Sequence, residues 1–564
     1  MVRRLRGLFA WTMTAVLAVA AVAGCSGSGG RDDAPHGVLP TYGAYDINPR
    51  PVDALRSGGT LTLPIMQMIT QFNYLHVDGA TTDTWTVDTM TEPRLFARDV
   101  KGVPRPVPAY LESAAVTGTS PQVVTYRLNP KARWSDGTAL SWRDFAAQWR
   151  ALGRGDQRYP VADPSGYDRI GDVRQGSGPH EVRVVFQRPF ADWQQLFTPL
   201  FPEAAYRTPG QFDRAWQGRL PITAGPFTLG SIDRTTQTIT LVRSRTWWGP
   251  RPRLDRVVLR VLDPAAALQA FRNGEVDVVN AATAEAYQQL ARAPDCDIRI
   301  GSAWDEVHVT MNGAAGPLAD RTVRNALQQA VNRKALADVA AEGLPVKVPL
   351  LGNHFFMTDQ PGYADNSGHY GTYDPKAAAR ALDRAGWHSR GAGKPRVKDG
   401  RSLTLRFVLN ANTNRLGLDL AQLLQQMLAG VGVGVDILKV PADAYGPEYL
   451  NKGNFDLAIF RFVGLTYPSS TYAIYHSPQG QQAFENYGRI DSADVDRLLD
   501  WAVGTLDVRQ ARRLYNRADA EIWSLGHDIE LYQRPQVLAV RKGLANYGVP
   551  GLGDIDFTRV GWQK

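Results

Sequence analysis

Two cysteines in 564 residues leave no room for a disulfide framework, and with Cys25 at the far N-terminus, Cys296 is a lone thiol. A cysteine-based zinc site is excluded for the same reason. The nine histidines are scattered, with no pair at i, i+2 or i, i+4, so no preformed metal site is expected. His180-Glu181 has Val184 where the second histidine of a zinc-protease helix would stand. There is no phosphate-binding P-loop and no Gly-x-Ser-x-Gly elbow. The alternating glycines from Gly430 to Gly434 lack dinucleotide-turn spacing and read as a helix end reversing into a strand. Catalysis and a cofactor are therefore not expected. Beyond the first residues no apolar run reaches membrane-spanning length.

What is present describes a large folded body. The length points to more than one domain, and 44% hydrophobic with 21% charged residues is the composition of a packed protein. Fourteen Trp and twenty-one Tyr supply apolar area with a polar edge, suited to a core or to gripping a ligand. The net charge of +8 falls to +5 without Arg3, Arg4 and Arg6, and its dispersal argues against nucleic acid. Those three arginines precede an apolar stretch and then Val22-Ala23-Gly24-Cys25, the order of a secretory signal. The ending resembles the bacterial lipobox, which implies cleavage after residue 24 and a lipid on Cys25 holding the chain to the outer face of the cell membrane. Residues 25–58, rich in Pro and Gly, read as anchor and linker.

Gly59 to Leu63 alternates as a first strand, and Ser141 caps a helix carrying Trp142, Phe145 and Trp149. Strands follow at Val182–Phe186, 226–229, 239–242 and 257–261, with a short one around Val307–Val309. From Asp320 a single helical run extends to Gly343, and Asp374-Pro375 opens another that closes at Gly386. Leu403 to Leu409, the amphipathic stretch 416–428 and Val433 to Ile437 form a strand-helix-strand unit, joined later by 455–460. That order implies an α/β lobe with a partly parallel sheet, whose ligands gather beyond the carboxyl ends of the strands. Phe460 to Ser470 follows such an end.

Four stretches together resemble a known family. They are Leu128-Asn129-Pro130 through Trp134-Ser135-Asp136-Gly137-Thr138 and Trp142; Ala224-Gly225-Pro226-Phe227 with Trp247-Trp248-Gly249; Phe271 through Gly274-Glu275-Val276-Asp277; and Tyr373-Asp374-Pro375 through Ala385-Gly386-Trp387. In this order the chain is similar to the extracytoplasmic solute-binding proteins of peptide-type ABC importers, family 5. The resemblance implies a two-lobed α/β clamp of type II. Lobe I would comprise 59–91, 207–310 and 525–564, with a subdomain inserted at 92–206, and lobe II would comprise 311–524. It also implies a monomer without cofactor or metal, partnered by a peptide or peptide-like ligand and by permease and ATPase subunits. A regulatory or scaffold lipoprotein of the same fold is the alternative.

Ligand contacts implied by the resemblance are Phe72, Asn73, Tyr74 and Tyr532 on one side, and Tyr445, Arg461, Phe462, Val463, Gly464, Thr466 and Tyr467 on the other. In peptide binders the loop after the Phe455-Asp456 strand carries an acid for the peptide's α-ammonium. Here its positions fall on Gly464, Leu465, Thr466 and Tyr467. Asp443, Glu448 or Asp83 would have to substitute, or the ligand has no free amine there. A guanidinium at Arg461 favours carboxylate or phosphate.

Overall fold

The computed structural model describes residues 45–314, 316–464, 466–478 and 485–564. The signal sequence, Cys25 and most of the linker lie outside these residues. No helix among the described residues is long and apolar enough to cross a membrane.

Two sheets carry the body. The first has four strands in the order Thr60–Ile65, Arg256–Val261, Thr238–Arg243 and Phe227–Asp233, with the first pair parallel and the rest antiparallel. Alternation buries Leu61, Leu63 and Ile65 beside Val257 and Leu259, as a half-buried sheet requires. The second has six strands in the order Val278–Asn280, Asp528–Arg541, Cys296–Met311, Leu457–Val463, Thr404–Asn410 and Gly434–Val440. Thr404–Asn410 runs parallel to both Gly434–Val440 and Leu457–Val463, which is the partly parallel unit the sequence implied.

The central pair of this sheet is its spine. Cys296–Met311 is 16 residues long and Asp528–Arg541 is 14, and they pair antiparallel along their length. One end of the pair is flanked by Val278–Asn280 and the other by Leu457–Val463. Between Ser302 and Glu306, and again between Val307 and His308, the register shifts. Such bulges bend and twist a strand locally, so the two halves of the ribbon point differently. The first strand is far longer than the Val307–Val309 segment legible by alternation. Asp297, Arg299, Ser302 and Asp305 interrupt the apolar pattern, and pairing with the neighbouring strand overrides it.

A third sheet, Leu111–Thr119, Gln122–Leu128, Glu181–Phe186 and Ile170–Gln175, is covered by the helix Trp142–Gly153. Ser141 and Asp144 form a reciprocal capping box at its start, and Phe145 and Trp149 are buried beneath it. The run from Asp320 to Gly343 is two helices, Arg321–Ala330 and Arg333–Ala341, rather than one. Val331 is extended, and Asn332 accepts the Ala335 amide to cap the second helix. The break lets Arg333 turn inward, where its guanidinium donates to the carbonyls of Glu530 and Leu351. Apolar faces of Ala493–Gly504 and Val508–Leu525 share a core with the third sheet, and the Ala191 amide bonds to the Val503 carbonyl at 2.7 Å.

His354 ties helix Val508–Leu525 to the long strand. Its Nδ1 lies 2.6 Å from Asp519 Oδ1 and its Nε2 2.9 Å from Asp528 Oδ1, all three groups being buried. Burial opposes protonation of the imidazole, but Asp528 and Asp519 outweigh it and raise its pKa to about 10. The folded state therefore favours the imidazolium. Its contribution is complete below the ordinary value of 6.5 and fades as the pH rises toward about 10. His354→Ala leaves two carboxylates buried without their cation and is expected to cost about 3–5 kcal/mol at neutral pH, read by urea unfolding. The difference from the unsubstituted protein shrinks as the pH is raised from 7 to 10.

Candidate functional site

The loop after the first strand is held by its own side chains. Asp83 accepts the amides of Met66 and Gln67 at 3.0 and 3.1 Å, and Asn73 Oδ1 accepts the Leu75 amide at 3.0 Å. A Cβ on Gly79 would stand 2.0 Å from the Asn73 carbonyl oxygen, so only glycine lets the loop close on itself. Phe72 and Asn73 are both fully buried, Phe72 in the core. They shape the loop, and Tyr74 is the residue it presents. Its ring packs on Trp85 at 4.9 Å, and the Arg94 guanidinium lies 4.6 Å over the Trp85 ring.

Behind this aromatic pair stands a buried charge triad. Asp554 Oδ1 accepts from Arg98 Nη2 at 2.6 Å, and Oδ2 accepts from Arg94 Nη2 at 3.2 Å and from the Arg98 amide at 2.7 Å. Burial opposes ionisation of Asp554, yet Arg94 and Arg98 outweigh it and hold its carboxyl well below the usual range. Asp88 and Glu92, on and just past helix Thr82–Thr91, are buried with no hydrogen-bonding partner among the described residues. Burial pushes both carboxyls well up.

Tyr467 follows the strand Leu457–Val463. Burial raises its phenol, which lies in the field of Arg98, Asp192, Asp554 and Arg94. Burial opposes the charge on Arg98, and Asp554, with smaller contributions from Tyr467 and Tyr74, outweighs it. The next turn is pinned to the 192–195 segment that follows the third sheet's strand Glu181–Phe186, where the Ser469 amide donates to Asp192 Oδ2 at 3.0 Å and Gln195 Nε2 to Ser469 Oγ at 3.0 Å. Gly464 has φ +79° and its amide bonds to the Trp304 carbonyl at 2.8 Å, which turns the chain out of the sheet. Val463 is exposed and Thr466 half-buried.

The remaining implied contacts lie elsewhere. Arg461, half-exposed, shares one carboxylate with Arg534: Asp305 Oδ2 meets the first at 2.5 Å and the second at 3.0 Å, so the cluster keeps one net positive charge. Phe462, like Phe460, faces the His308 imidazole, with ring centroids at 5.0 and 4.4 Å. Tyr532 is buried in the long strand opposite Val307. Tyr445 packs against the Val408 and Phe455 cluster, its hydroxyl 3.4 Å from the Ile459 carbonyl. Of the substitute acids, Asp83 is engaged by the loop amides and Glu448 by Lys452. Asp443 is exposed on a short helix. The acids whose charge acts on the phenols are Asp88 and Asp163 at Tyr74 and Asp192 and Asp554 at Tyr467. Arg94, Arg98 and Asp554 escaped the sequence reading because 456 residues separate Arg98 from its partner. The one local signal was the i, i+4 spacing of the two arginines.

Two α/β lobes sharing a ribbon of long strands define a binding clamp by class. The chain belongs to the bacterial extracellular solute-binding proteins, family 5, whose middle-region model matches residues 105–483. It is 36% identical to the oligopeptide-binding protein OppA of Mycobacterium tuberculosis, over 98% of this chain and 93% of that protein. A Mycobacterium tuberculosis protein named as a probable monoacyl phosphatidylinositol tetramannoside-binding protein, LpqW, is 27% identical over 62% of this chain and 59% of its own length. Among solved structures, the periplasmic EDTA-binding protein EppA superposes with a TM-score of 0.84 at 25% identity, covering 94% of this chain and all of that one. AppA of Bacillus subtilis, solved with a nonapeptide, shares the fold with a TM-score of 0.74 at 20% identity, covering 90% of this chain and all of that one. Members of this family are extracellular binding proteins and not enzymes.

Replacing Asp554 with Ala strands two buried guanidinium groups and is expected to cost about 3–5 kcal/mol in urea unfolding. Arg461→Ala, which removes a half-exposed partner from Asp305 while Arg534 remains, is expected to cost less than about 1 kcal/mol in the same measurement.

Proposed function

We propose that the protein is the receptor of an ABC importer, tethered outside the membrane through a lipid on Cys25, which captures peptides or peptide-like solutes and hands them to a permease. Lobe I is assigned to 59–91, 207–310 and 525–564 with the insert at 92–206, and lobe II to 311–524. The observation that carries the reading is that Tyr74 and Tyr467, from loops far apart in sequence, both lie in the field of Arg94 and Arg98. Aromatic faces with few fixed polar groups grip a backbone without selecting a side chain, and water fills the remainder. The resemblance to OppA over nearly the full length supports the same class of solute. Closure of such a clamp on its ligand shifts the population toward the shape a permease reads.

The loop from Val463 to Pro468 carries no acid, so a free α-ammonium has no counter-charge at the place peptide binders supply one. This favours solutes whose amine is blocked, or bound elsewhere, and it is also what supports the second reading, an envelope scaffold that retains the clamp without transport. The two differ in whether the cleft is filled. Denaturing mass spectrometry of protein purified without its signal is expected to release a bound peptide or peptide-like solute. Such a solute, added back at about a hundred times its Kd, stabilises the fold by about 2.7 kcal/mol and raises Tm accordingly. Tyr74→Ala and Tyr467→Ala each weaken its binding by about tenfold, the scale of an aromatic anchor. An empty cleft, with no Tm shift across a peptide library that includes N-blocked members, rejects import of this class and leaves the scaffold reading.

A further inference from the structure

The bent ribbon holds a second constellation that the cleft does not use. His308 and Glu530 face each other across the two long strands as register partners, and Glu306 lies two residues from His308 on the same strand. The shift between Val307 and His308 is what sets Glu530 opposite the histidine. All three side chains are buried, and one ligating atom from each lies within 4.8 Å of the others. His308 Nδ1 is 3.0 and 3.1 Å from the two oxygens of Glu306, and its Nε2 is 3.0 Å from Thr310 Oγ1. Phe460 and Phe462 clamp the ring. Glu530 Oε2 is buried and has no hydrogen-bonding partner among the described residues. Beside it is a void of about 10 Å³ walled by Glu306, His354, Glu530, Phe355, Thr471 and Tyr475. That is room for one water and no more.

We propose that Glu306, His308 and Glu530 form a binding site for a single divalent transition-metal ion of the Zn²⁺ class. One imidazole and two carboxylates are borderline ligands of the kind such ions take, with a fourth position left for the water the void admits. Ca²⁺ and Mg²⁺ need six or more oxygens, which this pocket does not offer. Thr310 on Nε2 orients the ring so that Nδ1 faces the carboxylates, the usual arrangement behind a metal-bound histidine. Two carboxylates match the charge of the ion, and the neighbouring Asp528 and His354 already satisfy each other. The Glu530 carbonyl is held by Arg333, which keeps the strand in place whether or not the ion is bound.

The location gives the ion a structural task. It joins the two crossing strands just beyond the Ser302/Glu306 irregularity, where the ribbon bends. Glu306 Oε1 also accepts the Phe462 amide at 3.1 Å, so the ion ties the strand that leads to Tyr467 into the same knot. None of the three ligating residues is among the implied ligand contacts.

The test uses full-length mature protein stripped on a chelating resin and then equilibrated with Zn²⁺, or with Co²⁺ as a spectroscopic probe. One equivalent of Zn²⁺ by elemental analysis is expected, with a higher Tm, and Co²⁺ is expected to give the visible absorption of a four- or five-coordinate ion. Glu530→Gln preserves shape and removes one ligand, and His308→Gln removes another. Each is expected to weaken Zn²⁺ binding at least about tenfold and abolish the Co²⁺ band, with an unchanged far-ultraviolet dichroism spectrum showing that the variant is folded. Absence of stoichiometric Zn²⁺ binding at micromolar concentration overturns the proposal. So does a folded Glu530→Gln or His308→Gln protein that binds Zn²⁺ as tightly as the unsubstituted chain.

Discussion

The antiparallel pairing of Cys296–Met311 with Asp528–Arg541 is the constraint on which the rest is built. These strands cannot be solvated on either face at their centre, because one core packs on one side and docked loops cover the other. Yet they carry Glu306, His308, Asp528 and Glu530 into that interior. A buried charge costs several kcal/mol unless it is paired and hydrogen-bonded. The partners, His354 on the 351–357 segment for the Asp528 carboxylate and Arg333 at the break between two helices for the Glu530 backbone carbonyl, therefore have to arrive from other parts of the chain. Docking of those segments and closure of the sheet are one event in this sense. Apolar burial drives it, and the charge pairs make a single arrangement acceptable.

Two loops follow from the way strands end. Leu457–Val463 pairs with the far half of Cys296–Met311 and then turns out at Gly464 into the segment that bears Tyr467. After the first strand of the four-stranded sheet, a loop locked by Asp83, Asn73 and Gly79 carries Tyr74. Two clusters each set a pair of guanidinium groups against one carboxylate, Arg461 and Arg534 on Asp305 and Arg94 and Arg98 on Asp554, so each keeps one net positive charge.

Much of the fold was legible locally. Period-two alternation located Thr60–Ile65, Glu181–Phe186 and Arg256–Val261, and the Ser141 and Asp374 caps located two helix starts, because each of these signals is written within a few residues. The length of Cys296–Met311 was not legible, since its polar residues are satisfied by partners far along the chain. The division of Arg321–Ala341 was also missed, because helical periodicity continues in phase across Val331 while the cap at Asn332 needs only one hydrogen bond. Of the residues implied by family resemblance, Tyr74 and Tyr467 are half-buried on loops, Phe72 and Tyr532 are packed in cores, Tyr445 packs against a smaller cluster, and Arg461 shares Asp305 with Arg534.

The sequence by itself determined the class of protein. Motif order, strand alternation and helix caps act over short spans and identify an α/β clamp of family 5 without a fold in hand. It also determined that the loop from Val463 to Pro468 lacks an acid. Only the tertiary structure decided which charges are available. Asp305 with Arg461, Asp554 with Arg98 and Asp528 with His354 are brought together across 156, 456 and 174 positions by the tertiary fold, and electrostatic interaction depends on distance in space, which no local pattern records.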